Sequence, residues 1–163
     1  MIQTAVLNYF RNTKNYSTIR FILEMAVLAF VLKIIFTIGA IALGVAVNLG
    51  YQNDIQNELL SDRFLPYVIV LIVPVIETLL LGLTIFIISR FTKNLYYQIF
   101  IAAIVFAVMH REPILMIAMF PIGAIFSWSY KLNRRISLWR AIWVTSSIHA
   151  LLNLSAILLK NAF

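Results

Sequence analysis

Five apolar runs dominate the chain, and each has about the length that a helix needs to cross a lipid bilayer. At ~1.5 Å per helical residue, a hydrocarbon core of roughly 30 Å takes about 20 residues. Hydrophobic residues make up 63% of the 163 residues, more than a water-soluble domain of this size can bury. The sequence therefore predicts an all-α, polytopic integral membrane helical bundle with about five transmembrane helices, at about Ile22–Leu49, Leu65–Ser89, Leu95–His110, Pro113–Tyr130 and Leu138–Leu159.

The length fits one membrane-embedded domain, over residues 22–163. Residues 1–21 are polar and basic with interspersed apolar side chains, and we expect a cytoplasmic amphipathic leader on the membrane surface. The chain has no Cys, which excludes disulfide and thiolate chemistry. The net charge of +7 comes from basic residues at the ends of apolar runs, so we expect the lipid bilayer as a partner and no nucleic acid.

The basic residues are distributed unequally between the two sides of the predicted bundle. By the positive-inside rule, this distribution predicts a multi-pass plasma membrane protein with a cytoplasmic N-terminus and an external C-terminus. The short third run or the kinked fourth run could instead be re-entrant. The richer side has nine Lys and Arg (Arg11, Lys14, Arg20, Arg90, Lys93, Lys131, Arg134, Arg135, Arg140) and the other has three (Arg63, Arg111, Lys160).

Polar residues inside the apolar runs are the main clue to function. Glu77 lies in the middle of the second run, where a carboxylate costs at least a few kcal/mol and rarely occurs without a partner or a task. In the fifth run, Ser146, His149 and Asn153 lie three and four residues apart and share one helix face. Such a stripe must face the protein interior or a watered cavity.

His110 ends the third run, and Phe106 lies one helical turn before it, where its ring can pack under the imidazole. Hydrolysis is the chemistry that this acid, the two imidazoles and the amide could share. A carboxylate withdrawn from water can act as a general base, an imidazole can orient water or bind a metal, and an amide can stabilise an oxyanion. Each group also has a structural interpretation, as an interhelical hydrogen-bonding group or a satisfied histidine.

Glu77, His110, His149 and Asn153, in this order, resemble the CPBP family of intramembrane proteases, also called the Abi or CAAX prenyl protease 2-like family. The family pattern is EExxxR on one helix, FxxxH on the next and HxxxN near the end. FAVMH matches the second motif through Phe106 and His110, and HALLN matches the third through His149 and Asn153. The resemblance covers about residues 65–159.

The first motif departs from the family pattern. PVIETLLLGL keeps Glu77 but has Thr78 where a second Glu is usual and Gly82 where Arg is usual. The resemblance implies hydrolysis of a peptide bond in a membrane-associated peptide or protein, with Glu77 activating water. It also leaves a non-catalytic scaffold or a bacteriocin-immunity-type protein open, and a proton-coupled transporter component is a further alternative. A divalent metal such as zinc, held by Glu77, His110 and His149 in a metalloprotease, is left unassigned.

Lys33 lies deep in the first run, and Thr37, Ala40 and Gly44 follow it on the same helix face. Small residues are typical of a face that packs against other helices. The depth of Lys33, about 18 Å from the inner end of the run, approaches that of Glu77. We hypothesise that Lys33 supplies the cation that the degenerate first motif lacks. Alternatively, its side chain snorkels to the membrane surface.

Overall fold

The computed structural model describes residues 17–44 and 64–162, and these residues form helices without any strand. Four helices are long and apolar enough to cross a membrane, and α3, with 14 residues, is shorter. The prediction of a polytopic helical membrane protein is therefore confirmed. The helices are α1 (Thr18–Ala42), α2 (Leu65–Phe91), α3 (Leu95–Val108), α4 (Pro113–Arg134) and α5 (Leu138–Ala162).

The first helix differs from its prediction at both ends. It begins at Thr18 instead of Ile22, because the polar first turn is stabilised by an ion pair in which Arg20 Nε lies 2.8 Å from a Glu24 carboxylate oxygen. It ends at Ala42, and Gly44 has a φ of 74°, a conformation that ends helices and that glycine adopts without strain. Leader residues 1–16, residues 45–49 of the predicted span and the connection with Asp54, Glu58, Asp62 and Arg63 lie outside the described residues.

Helix α4 is the most buried of the candidate membrane spans, and it packs against α1, α3 and α5. The second helix packs on the other side of α5 and also contacts α3. Many large apolar side chains of α1, α2 and α3 are exposed on the outside of the bundle, as expected for helices that face lipid. This arrangement places α5 between α1 and α2, so that its polar stripe can be reached from both.

Helix α2 is irregular before its polar residue. Residues Val68–Ile72 form a π-helical segment, in which the Val73 N–H donates to the Val68 carbonyl five residues earlier. The next residue is Pro74, which has no N–H to continue this register. The Ile69 carbonyl therefore needs a donor from elsewhere, and helix α5 supplies one.

Candidate active site

Helices α2 and α5 bring Glu77 and His149 into contact. Glu77 Oε2 lies 3.5 Å from His149 Nε2, and the Glu77 side chain is 22% exposed whereas that of His149 is 7% exposed. Neither Glu77 Oε2 nor His149 Nδ1 has a hydrogen-bond partner among the described residues. The Glu77 carboxylate is partly exposed as a group, although Oε2 itself is buried against His149. A carboxylate with unused lone pairs beside an imidazole can accept a proton from water.

Two phenyl rings fix the position of the His149 imidazole. The Phe126 ring centroid lies 4.7 Å from that of His149, and the Phe106 centroid lies 5.9 Å from it in an edge-on arrangement. The two phenyl rings also contact each other, at 5.5 Å. Phe106 and Phe126, here called the aromatic clamp, come from α3 and α4 and are both buried. The clamp restricts rotation of the His149 imidazole, which the 3.5 Å contact with Glu77 would hold only loosely by itself.

His110 lies two residues after the end of α3 and contacts the Phe106 ring of the clamp. Its ring centroid is 5.1 Å from that of Phe106, and its Nδ1 lies 2.9 Å from the Phe106 carbonyl oxygen. Because a carbonyl oxygen only accepts, Nδ1 carries the hydrogen and Nε2 keeps a free lone pair. Within the described residues His110 has no direct hydrogen bond to Glu77 or His149, and Phe106 lies between the two imidazoles.

The polar stripe of α5 faces α2. Asn153 Nδ2 donates to the Ile69 carbonyl at 3.0 Å, and Ser146 Oγ donates to the Pro74 carbonyl at 3.4 Å. The first of these bonds satisfies the carbonyl that Pro74 cannot reach. Asn153 thus holds α5 against the irregular segment of α2 and keeps one further amide hydrogen available.

The two degenerate positions of the first motif lie on the buried face of α2. Thr78 is 2% exposed, and its hydroxyl has no partner among the described residues. A Cβ atom built on Gly82 would lie only 2.5 Å from the Tyr130 hydroxyl oxygen. The Tyr130 side chain therefore occupies the space next to position 82, where relatives are expected to carry Arg.

Lys33 approaches the site from the side of the histidines. It lines a cavity of about 250 Å³ between α1 and α5, together with Thr37, Leu152 and Ser155. Its amine lies close enough to His110 and His149 for a charge on it to act on both imidazoles. No ion pair joins it to Glu77 in the part of the chain that the structure describes.

A metal ion does not fit the arrangement of these side chains. Among the described residues, no three His, Asp or Glu side chains are grouped closely enough to act as ligands of one ion. Zinc sites in proteins hold three or four such ligands at about 2 Å from the ion. The chemistry of the site is therefore derived from the protein's own groups.

Sequence reasoning missed two residues of this region. Phe126 lies in an apolar run where nothing separates it from other core residues, and Tyr130 occurs in the same run. Both belong to α4, which contributes none of the three motifs. A strong signal was absent because aromatic residues on a membrane helix are common, and only the packing of α4 against α2 and α3 shows which of them matter.

The chain matches a known protein family. The model described as "Type II CAAX prenyl endopeptidase Rce1-like" matches residues 60–155, more than half of the chain. The matched segment contains Glu77, His110, His149 and Asn153. No curated protein and no solved structure matches the chain.

Proposed function

Because this chain belongs to the type II CAAX prenyl endopeptidase Rce1-like family, we propose that it is an intramembrane endopeptidase. Its substrate would be a peptide or protein associated with the membrane. The contact of 3.5 Å between Glu77 Oε2 and His149 Nε2 is the observation that supports this proposal most strongly. The contact brings residues of two distant motifs together, and the Glu77 side chain, which is 22% exposed, supports access of water to the carboxylate.

In the proposed reaction, Glu77 takes a proton from a water molecule, and the resulting hydroxide attacks the scissile carbonyl carbon. His149 orients the carboxylate and the water through Nε2. When the tetrahedral intermediate collapses, the C–N bond breaks and the proton held by Glu77 passes to the leaving amine. Apo structures often have long catalytic hydrogen bonds that tighten when substrate binds, which agrees with the 3.5 Å contact.

The developing oxyanion needs donors or positive charge close to it. Asn153 uses one amide hydrogen for Ile69, and its second amide hydrogen is proposed as an oxyanion donor. His110 keeps an acceptor at Nε2, because its Nδ1–H is used by the Phe106 carbonyl, and it is proposed to orient water. Lys33 is proposed to stabilise the oxyanion charge from the α1 side, consistent with its position close to both imidazoles.

The proposed placement in the cell follows the charge distribution. We propose that residues 1–21 precede a membrane domain over residues 22–163 and that the N-terminus is cytoplasmic, in the plasma membrane. The catalytic groups then lie within residues 65–159. A substrate would reach Glu77 from the membrane or from its surface.

A non-catalytic membrane scaffold is the second candidate function. The observation that favours it is the occupation of the space beside Gly82 by Tyr130, together with the neutral Thr78. If relatives use the second acid and the Arg to position substrate, this chain has lost both. Positions 78 and 82 lie one helical turn apart, where a Glu and an Arg could pair. Their joint replacement therefore leaves no unpaired charge behind.

Reconstitution in liposomes tests the proposal against this alternative. The probes are a prenylated peptide that ends in Cys, two aliphatic residues and a variable residue, and the same peptide without the prenyl group. In water enriched in oxygen-18, hydrolysis adds one heavy oxygen to the newly formed carboxyl group. We expect labelled product from the wild type and at least about 100-fold less from His149→Ala. An unchanged rate in a folded His149→Ala variant would refute the assigned role of His149.

A further inference from the structure

A groove at one end of the bundle shares Gly82 and Tyr130 with the region described above but contains none of the four proposed catalytic side chains. It is a cavity of about 420 Å³ between α2 and the C-terminal part of α4, and Gly82 forms part of its lining. Leu83 and Phe86 of α2 give it an apolar wall, and Lys131 and Arg134 of α4 lie at its other side. We call this cavity the basic groove. Its lining therefore combines an apolar wall with positive charge, and an amphiphilic anion can use both.

Among the described residues, no carboxylate forms an ion pair with the cations at the basic groove. Lys93, Arg134 and Arg135 all act electrostatically on Lys131 with the same sign of charge. Within the described residues, ion pairs are formed only by Glu24 with Arg20 and by Glu77 with His149. The cations gather here because the α2–α3 and α4–α5 connections meet at the same end of the bundle, and they leave a site with a strong preference for anions.

The shape of the basic groove selects among anions. A soluble anion would gain nothing from Leu83 and Phe86, whereas the acyl chain of a lipid can pack along them. Clusters of Lys and Arg at the end of transmembrane helices attract anionic headgroups, and basic pockets between helices bind them specifically. Lys131 and Arg134 are three residues apart on α4 and therefore face the same direction.

We propose that the basic groove binds one anionic phospholipid, with the phosphate at Lys131 and Arg134 and one acyl chain along Leu83 and Phe86. The Tyr130 hydroxyl, which lies beside Gly82 at the groove, is a further donor to the headgroup. The lipid would tie α2 to α4 next to the point where Tyr130 packs against Gly82. This binding does not depend on peptidase activity.

Native mass spectrometry of the full chain tests this proposal. The protein is released from detergent micelles that contain equal amounts of dioleoyl phosphatidylglycerol and dioleoyl phosphatidylcholine. We expect one phosphatidylglycerol per protein, retained at least about tenfold more than phosphatidylcholine. Equal retention of the two lipids by the wild type would overturn the proposal without any variant.

Four variants, one of them a control, separate a built site from general surface charge. Lys131→Gln and Arg134→Gln should each reduce phosphatidylglycerol retention several-fold, whereas Arg111→Gln, at the α3–α4 connection, serves as the matched control and should not. Ser89→Phe keeps every cation but fills the groove that Ser89 lines, and it should abolish retention. If Ser89→Phe still retains the lipid, the attraction is diffuse and the proposed site is wrong. Melting temperatures measured on the same samples show that each variant is folded.

Discussion

Asn153 illustrates how one side chain in this protein can have a structural task and a chemical one. Its amide donates to the Ile69 carbonyl at 3.0 Å, which the π-helical register before Pro74 leaves without a backbone donor. In a membrane, a carbonyl without a donor costs more than in a surface loop, because no bulk water replaces the bond. The position of Asn153, one helical turn after His149, is thus coupled to an irregularity in the neighbouring helix.

Replacement of Asn153 should destabilise the protein, and the size of this effect should depend on whether residue 74 is proline. Asn153→Leu leaves the Ile69 carbonyl unsatisfied, which we expect to cost about 1–3 kcal/mol. In a Pro74→Ala background, the new N–H at position 74 can donate to Ile69, and the cost of Asn153→Leu should fall. Unfolding free energies in detergent measure both values. Ser155→Ala, which removes only a bond within α5 to the Leu152 carbonyl, is the control and should cost less.

Equal costs of Asn153→Leu in both backgrounds would contradict this account of the π-helical segment. The same double variant separates the two tasks of Asn153. If stability returns and cleavage does not, the amide also acts on the reacting atoms. If both return, Asn153 is a positioning residue.

At the residue scale, the sequence predicts the polar groups and cannot predict their surroundings. Glu77 and His149 are conspicuous because charged and imidazole side chains are rare in membrane helices. Phe126, whose ring centroid lies 4.7 Å from that of His149, is an apolar residue among apolar residues, and nothing in the sequence distinguishes it. The roles assigned to Glu77, His110, His149 and Asn153 stay predictions until activity is measured.

At the scale of single helices, α2 shows most clearly how a motif can degenerate without loss of the fold. Its buried face consists of Pro74, Thr78, Leu81, Gly82 and Ile85. Glu77 lies at the edge of this face, which explains why its side chain keeps some exposure. The two neutral replacements at positions 78 and 82 are on the buried side, and Tyr130 packs into the space at Gly82.

Gly82→Ala should be destabilising, because a Cβ at 2.5 Å from the Tyr130 hydroxyl oxygen forces the ring to move. We expect a cost of about 1–3 kcal/mol, as for other overpacked cores. The matched control is Gly39→Ala in α1, where no atom lies within 4 Å of the added Cβ. This control should be neutral or stabilising, because alanine favours helix over glycine by roughly 0.5–1 kcal/mol.

Melting temperatures or unfolding free energies in detergent compare the two alanine variants. In a Tyr130→Ala background the penalty for Gly82→Ala should disappear. A Gly82→Ala variant as stable as the wild type would show that Tyr130 does not occupy this position. The same packing explains why Arg cannot simply be restored at position 82.

Helix boundaries show where reasoning from hydropathy succeeds and where it fails. The predicted starts of α2, α3, α4 and α5 agree with the structure, because Pro66, Asn94, Pro113 and Ser137 mark them in the sequence. The start of α1 was misplaced, because its first turn is polar and hydropathy does not detect the Arg20–Glu24 pair. The tertiary contact of Arg140 with the Thr18 hydroxyl, at 3.0 Å, also supports that turn and could not be read from local sequence.

At the scale of the whole molecule, the helical membrane fold follows from composition, and the orientation in the membrane remains a prediction. The chain contains no Cys, so a single introduced cysteine gives an unambiguous label. A cysteine at Lys93 or Arg135 should react with an impermeant maleimide only from the cytoplasmic side, and one at Arg111 only from outside. Labelling of intact cells, with and without permeabilisation, checks this. Labelling of position 111 from the cytoplasm would contradict the predicted topology.

The central claim is that Glu77 activates water for peptide hydrolysis beside His149. The most direct measurement compares single-turnover cleavage of the prenylated peptide by Glu77→Gln and Glu24→Gln in liposomes. Both variants exchange a carboxylate for an amide in a membrane helix, but Glu24 pairs with Arg20 near the start of α1. The account predicts a loss of at least about 100-fold for Glu77→Gln and a wild-type rate for Glu24→Gln. A folded Glu77→Gln variant that cleaves at the wild-type rate would contradict it.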